Sequence, residues 1–223
     1  MKKLLLSASV ILLATGAFAQ TKRTGSDARF GLKAGVNLSS YNGTGIYDLD
    51  YKNNIGYNVT AYGDFGIGNN FFLQPGISLQ NKGAKIETTG TVTFKQDVMA
   101  IEVPINAVVK IPTGDAGAFQ ISAGPYVGFN ISGKNKYPET YTSTTVDLST
   151  FKDRDLNFGS AVGDDLSSID FGANFGLAYR LNSGVSIGAN YGLGISNLIP
   201  KDERAGDDKL RNRIIGFTIG YSL

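Results

Sequence analysis

Five charged side chains lie at polar positions of segments in which apolar residues alternate with mostly small or amide residues. They are Lys33, Asp64, Glu102, Asp170 and Arg180. Charges of both signs in such surroundings can carry protons or ions along a path, or they can pair with one another inside the protein. Both alternatives need the same residue types. The distinction between them therefore depends on the secondary-structure elements that position these residues.

The composition excludes most catalytic and metal-binding chemistry. The chain of 223 residues contains no Cys and no His, whereas 29 residues are Gly. Without Cys there is no disulfide framework, thiolate ligand or Cys nucleophile, and without His there is no imidazole ligand or Ser-His pair. We therefore predict no catalytic residues, no metal and no cofactor. Basic residues do not alternate with aromatic residues in a stripe, which argues against nucleic acid as a partner.

The beginning of the chain has the pattern of an export signal. Two lysines precede an apolar run over 4–14, and Ala17-Phe18-Ala19 is a cleavage site of the A-x-A type. This order is typical of a secretory signal peptide. We predict a signal peptide over 1–19, a short periplasmic leader over 20–28 and one domain over 29–223. No stretch of 18 apolar residues follows, so the exported protein is soluble or crosses a membrane as strands.

Apolar and polar residues alternate with period 2 in eight segments, which predicts β-strands. The segments are 30–38, 57–65, 71–80, 101–110, 119–131, 169–181, 185–195 and 215–223. Each has about nine or more residues, the length that a tilted strand needs to cross a bilayer.

Short and long connections alternate along these segments. The short ones are 67–70, 111–116 and 182–184, and the long ones are 40–54, 82–97, 132–167 and 197–209. Outer-membrane barrels have an even number of strands, short periplasmic turns and long external loops. We predict an all-β fold, an eight-stranded antiparallel up-and-down transmembrane β-barrel.

The composition of the two strand faces predicts which one meets lipid. The polar face is mainly Gly, Ser, Asn and Gln, which suits the narrow interior of eight strands, and the other face is an uncharged apolar band. The prediction places Leu32, Val127 and Ile219 outside and Asn37, Gln120 and Thr218 inside. Six aromatic residues at the short-turn ends predict an interfacial girdle. They are Phe30, Phe65, Phe71, Phe119, Tyr179 and Tyr221.

Three prolines interrupt the predicted strands. Because Pro has no N–H to donate to the sheet, we expect local bulges at Pro75, Pro104 and Pro125.

Eight strands leave room for side chains and not for a wide channel. We therefore favour an internal network of salt bridges and hydrogen bonds over an ion path for the five charged residues, with Lys33 paired to Asp64 across the first hairpin. The loop 132–167 is rich in Thr, Ser and Tyr and also carries acids. The acids are Asp153, Asp155, Asp164 and Asp165. Binding of a partner, binding of Ca²⁺ and a solvated mobile loop are the three interpretations of this segment.

Four short motifs carry a resemblance to a known family. They are I-E-V-P-I-N-A-V-V-K over 101–110, A-G-P-Y-V-G-F over 123–129, D-F-G-A-N-F-G-L-A-Y over 170–179 and G-F-T-I-G-Y over 216–221. The chain resembles the PorT-like outer-membrane β-barrel family over most of 29–223. That resemblance implies an outer-membrane barrel and an accessory role in protein secretion, and it implies no catalytic residues.

The leading functional hypothesis is a non-enzymatic integral protein of the cell outer membrane, whose external loops contact partners. Its expected partners are outer-membrane lipid, the barrel assembly machinery and secretion-system or surface proteins. Two alternatives belong to other classes. One is an outer-membrane enzyme with a site at the loop rim, and the other is a soluble periplasmic barrel that binds a ligand in an apolar lumen.

Overall fold

A computed structural model describes residues 28–45, 49–88, 92–137 and 152–223. The strands are β1 (Arg29–Thr44), β2 (Asp50–Gly66), β3 (Phe71–Thr88), β4 (Val92–Pro112), β5 (Gly117–Lys136), β6 (Arg154–Asp155), β7 (Ile169–Leu181), β8 (Val185–Gly194) and β9 (Lys209–Ser222). Single turns of 3-10 helix lie at Gly114–Ala116 and Lys201–Glu203. Among the described residues, no helix is long and apolar enough to span a membrane. The predicted signal peptide and almost all of the leader lie outside the described ranges.

Eight of the strands form a closed antiparallel barrel, as predicted. Each long strand pairs with its neighbour in the chain, and β1 pairs with β9 to close the sheet. The two-residue β6 lies beside the outer end of β5, where Lys134 pairs with Asp155. Closure matters in lipid because it leaves no open sheet edge with unpaired backbone groups.

The two faces of the barrel are oriented as the sequence predicted. Leu32 is 62% exposed and Ile219 is 65% exposed, and Val127 also faces outward. Asn37 and Gln120 are buried inside the barrel, where Thr218 lines a polar cavity. The apolar band therefore faces lipid, and the small polar residues fill the lumen.

The three predicted short connections are present, at 67–70, 113–116 and 182–184, the second of them two residues shorter than the predicted 111–116. In the last of them Gly184 has a φ of 94°, a left-handed conformation that residues with a side chain rarely adopt. The tight turn between β7 and β8 thus depends on this glycine.

The predicted long connections are wrong at 40–54 and 82–97, where most residues belong to strands. Only 45–49 and 89–91 remain outside β1, β2, β3 and β4. Similarly, β5 continues to Lys136, and the described structure begins again at residue 152. The barrel wall from β1 to β5 therefore consists of strands of 16 to 21 residues.

The strands continue beyond the lipid-facing band because their two faces exchange character there. On β3 the outward Leu79 is exposed, but further along the same strand the outward residue is Lys85 and the inward residues are Ala84 and Ile86. Inward and outward residues still alternate there, but the outward side chain is charged and the inward side chains are apolar. A search for one apolar face stops at this inversion, which is why the sequence analysis ended these strands too early.

The expected bulges at Pro75, Pro104 and Pro125 are also wrong. Pro75 stays opposite Ile105, and the register on either side is unchanged, so no residue is inserted. Some cross-strand pairs are missing near Pro104 and Pro125 as well. The pairs on either side of the gap keep the same register, so no residue is inserted there. The register shifts lie elsewhere, between β2 and β3 at Asn53/Asn58 and between β4 and β5 at Met99/Ala100.

The predicted aromatic residues do meet near the short turns. The rings of Phe119 and Tyr179, on paired strands, have centroids 4.8 Å apart, and those of Phe30 and Phe65 are 6.1 Å apart. Phe71 and Tyr221 are more than half exposed at the same end. This arrangement fits an interfacial girdle.

Candidate functional site

A buried ionic cluster spans the lumen near the outer end of the lipid-facing band. The ammonium group of Lys82, from β3, lies 3.0 Å from Glu102 Oε1 on β4 and 2.8 Å from Asp170 Oδ2 on β7. The three side chains are almost inaccessible to solvent, with at most 4% exposed. One cation thus ties together two carboxylates from β4 and β7, strands that are separated by β5 in the barrel wall. We call these three residues the Lys82 cluster.

Hydrogen bonds complete the cluster around Asp170. Asn212 Nδ2 and Tyr126 OH donate to its Oδ2 at 2.7 and 3.3 Å, and Ser196 Oγ donates to Oδ1 at 2.6 Å. A side chain at Gly172 would collide with the Leu193 carbonyl oxygen and with the Tyr126 ring, so glycine is required beside that tyrosine. A buried carboxylate with these partners is a structural anchor, because both of its oxygens accept hydrogen bonds and its charge is paired.

A second group of charges lies nearer the short turns, and it differs from the predicted pairing. Asp64 forms its ion pair with Lys110, not with Lys33. Lys33 donates to Gln74 Oε1 at 2.8 Å. The reason is register: Lys33 is opposite Thr60, so Asp64 lies four residues further along β2, or about 13 Å.

Of the predicted charged residues, the structure brings Glu102 and Asp170 together, and Asp64 lies in the second group. Arg180 also lies at that end, where its Nε donates to Ser222 Oγ at 2.7 Å. The ammonium of Lys33 lies 4.3 Å from the centre of the Tyr62 ring. The predicted residues therefore form two separate groups along the lumen.

The sequence analysis missed the two lysines that hold these groups together. Lys82 was assigned to a loop, although it continues the inward series Ser78, Gln80 on β3. Lys110 ends the predicted strand 101–110, but the sequence analysis did not identify it as the partner of Asp64. Extending the period-2 count by one step would have found Lys82, whereas the Lys110 pair depends on how the barrel closes.

Amide and hydroxyl side chains fill the lumen between the two charged groups. Asn58 donates to Asn37 at 2.7 Å, Asn37 donates to Gln80 at 2.7 Å, and Gln80 donates to Ser78 at 2.9 Å. Beside this chain lies a polar cavity of about 110 Å³. A cavity of this size and polarity holds a few water molecules.

An apolar cluster covers the Lys82 cluster on the side of the long loops. Its members come from the extended strands and from the two long connections. They are Tyr41, Ala84, Ile86, Val98, Leu156, Leu166, Leu198, Ile199 and Leu210. Leu198 and Ile199 are 1% exposed, so the connection 195–208 is packed into the barrel mouth. We call this cluster with its two connections, 152–168 and 195–208, the cap.

The acids of the predicted loop brace the cap. Asp165 accepts two hydrogen bonds from the Arg154 guanidinium and one from the Asn157 N–H. Asp164 accepts from Ala161 N–H, and Glu203, from the other connection, accepts from Gly163 N–H. Each of these carboxylates has a structural partner within the cap.

The Ca²⁺ interpretation of the loop finds no support in the described residues. Asp155 pairs with Lys134 at 3.5 Å, and Asp153 accepts from Tyr137 N–H at 3.1 Å. Within 28–45, 49–88, 92–137 and 152–223, no three acids are grouped closely enough to hold a metal ion. The Thr-rich part of the loop, 141–145, lies outside the described residues.

Acid should loosen the cap through Asp165. Burial raises its pKa, but hydrogen bonds from Arg154 and Asn157 outweigh burial and hold the pKa of Asp165 below its ordinary value. A depressed pKa contributes stability that is complete above the ordinary value and is lost as pH falls through the lowered one. We expect pepsin to cut within 152–168 only below about pH 4. Asp165→Asn should remove this pH dependence, and equal cleavage of both proteins at every pH would contradict the prediction.

The comparisons with known proteins place the fold in a family. Residues 18–221 match the family described as the outer membrane protein beta-barrel domain. The chain belongs to this family. No curated protein matches the chain. As an outer-membrane barrel, the protein contacts lipid with the apolar band described above, and the outer membrane is its location.

Several solved outer-membrane structures are similar to this barrel. Ail, the attachment invasion locus protein of Yersinia pestis, has 15% identity and a TM-score of 0.45, with 88% of this chain and 99% of Ail covered. Neisserial surface protein A has 12% identity and a TM-score of 0.44, covering 90% and 99%. OprG from Pseudomonas aeruginosa has 12% identity and a TM-score of 0.37, covering 90% and 97%.

Proposed function

We propose that the protein is a non-enzymatic, non-conducting outer-membrane barrel that presents an ordered surface to a partner outside the cell. The observation that carries this proposal is the closed lumen. The Lys82 cluster ties three strands together across the bore, and the apolar cap lies over it. A barrel closed in this way offers its outer surface, and not its interior, to other molecules.

The tip of the longer connection is suited to contact a partner. Val162 is 76% exposed, while the neighbouring Gly163 N–H donates to Glu203 at 2.7 Å. Because this hydrogen bond holds the tip of the connection in place, less conformational freedom is lost when the exposed apolar side chain binds a partner. Long loops of outer-membrane barrels face the exterior.

Neither alternative class agrees as well with the structure. A soluble barrel with an apolar lumen conflicts with a lumen lined by amides and ions and an outside covered with exposed apolar residues. An enzyme at the rim needs free acids or nucleophiles there. The rim carboxylates Asp164, Asp165 and Glu203 instead hold backbone groups and Arg154.

Conductance measurements test the closed lumen. We expect the purified protein to give no stable current steps in planar bilayers, because the buried cluster occupies the bore. A truncated variant lacking 152–168 should remain closed as well, since the Lys82 cluster lies beneath the cap. Discrete current steps from the intact protein would contradict the proposal.

Cross-linking tests the contact surface. A photoreactive amino acid at position 162 should form defined adducts on intact cells, whereas one at Asn182, in a short turn on the opposite end, should form none with surface components. Equal adducts from both positions, or none from any cap position, would count against the proposed contact surface.

The PorT-like resemblance suggests a narrower role in protein secretion. The motifs that support this role also form strands of the barrel wall, so they would be present in a barrel of any function. Deleting the gene should trap exported proteins within the envelope if the role is correct. Normal secretion would exclude it while leaving the proposed surface contact untouched.

A further inference from the structure

Two arginines continue the lipid-facing apolar column of β9 beyond the membrane. Ile215 and Phe217 face outward and are 45% and 50% exposed. The next outward residues along the same face are Arg213 and Arg211, both exposed. The column therefore changes within two residues from side chains suited to acyl tails to side chains suited to anions.

The level of Arg213 coincides with the edge of the lipid-facing band. Ile215 pairs with Leu38 on β1 and with Tyr191 on β8, and both neighbours carry apolar or aromatic side chains. One step further out, Arg213 lies between the polar Ser40 on β1 and Leu193 on β8, where the apolar face ends on one side. The guanidinium groups thus lie at the height of lipid headgroups.

These arginines differ from two lysines of β4 and β5 in having no acidic partner. Lys95 and Lys136 pair with Asp97 at 3.1 and 2.9 Å. Across the described ranges, neither Arg211 nor Arg213 makes an ion pair or a side-chain hydrogen bond, and Arg211 is opposite the uncharged Asn42. Two unneutralised positive charges therefore remain on the outer face of β9.

We propose that Arg211 and Arg213 bind the phosphate of an outer-leaflet lipid whose acyl chains lie along Ile215 and Phe217. Arginine binds phosphate with two parallel hydrogen bonds from its planar guanidinium group. Outward residues two apart on a strand are separated by about 7 Å, so both groups can reach one headgroup. A soluble acidic partner would satisfy the arginines but not the adjoining apolar column, which is why we favour a lipid.

Lipid retention tests this site on the intact mature protein. Samples in micelles of dodecyl maltoside, a detergent without phosphate, are mixed with lipid A or with its dephosphorylated form, and retained lipid is counted by native mass spectrometry. We expect Arg211→Gln/Arg213→Gln to retain about tenfold less phosphorylated lipid than the unaltered protein, with a difference that shrinks at high salt. The phosphate-free lipid should be retained equally by both.

The matched control removes two cations that already have acidic partners. Lys134→Gln/Lys136→Gln should retain lipid as the unaltered protein does, since Asp155 and Asp97 neutralise these lysines. The shift in gel mobility on boiling verifies that each variant is folded.

Three results would overturn the proposal. The first is equal retention of phosphorylated and phosphate-free lipid by the unaltered protein. The second is equal retention of lipid A by the arginine variant and the unaltered protein. The third is loss of binding to soluble polyglutamate in the arginine variant with lipid retention unchanged, which would assign the arginines to an acidic soluble partner.

Discussion

Replacing Lys82 with Met should lower the free energy of unfolding by about 3–5 kcal/mol, the usual cost of leaving a buried charge without its partner. The substitution would leave Glu102 and Asp170 close together, both nearly inaccessible to solvent. Their remaining hydrogen bonds, from Ser196, Asn212 and Tyr126, reach only Asp170. Because the protein has no Trp, unfolding in lipid vesicles is best followed by circular dichroism against denaturant concentration.

Two controls separate the buried charge from a loss of packing. The triple variant Lys82→Met/Glu102→Gln/Asp170→Asn keeps the volume but removes every charge, and it should stay within about 1 kcal/mol of the unaltered protein. Lys134→Met breaks the exposed pair with Asp155 and should cost less than about 1 kcal/mol. If the triple variant loses as much stability as Lys82→Met, the uncompensated charge is not the cause.

The second large effect is expected on the lipid face. Phe217 is an outward residue in the middle of β9, 50% exposed and paired with Val36 on β1. Phe217→Arg should lower the free energy of unfolding by about 2–4 kcal/mol, since an arginine near the midplane of the bilayer must leave water. The same unfolding experiment measures it.

The control for this prediction places an arginine at a different depth in the membrane. Ile215→Arg makes the same change one outward position nearer to Arg213, at the edge of the apolar band, and should cost only about 0–1 kcal/mol. The inward neighbour Thr218 lines the polar cavity, so Thr218→Asn should be tolerated. Equal costs for Phe217→Arg and Ile215→Arg would mean that the column does not cross the bilayer as described.

The parts of the fold that follow from local pattern could be predicted. Period-2 alternation identified the eight barrel strands, and the nature of the polar residues identified the inner face, because each property belongs to a single strand. The ends of the strands could not be found in this way. At Lys85 and at Arg213 the outward face changes from apolar to charged, while the chain continues as a strand that pairs with its neighbours.

The charged groups show a second limit. Glu102 and Asp170 were recognised as inward residues, yet the side chain that joins them is Lys82, 88 residues away from Asp170 in the chain. Which inward residues meet depends on the register of every ladder and on how the barrel closes. The pairing of Lys33 with Asp64 was wrong for this reason, because neighbouring strands can place two inward charges at different heights.

Because the strands differ in length, the barrel wall is higher on one side than on the other. β4 has 21 residues and β8 has 10, which correspond to about 70 and 33 Å along the strand. The connection 152–168 leads from the long β5 to β7, and 195–208 leads from the short β8 to β9. Both pack against residues of β1, β3 and β4. We expect a molecule that approaches along the cell surface to reach the cap more easily over β8 than over the longer strands β1 to β5. A partner bound to the cap should therefore lie on one fixed side of the barrel. The membrane alone would not impose this, because it does not restrict rotation of the barrel about its axis.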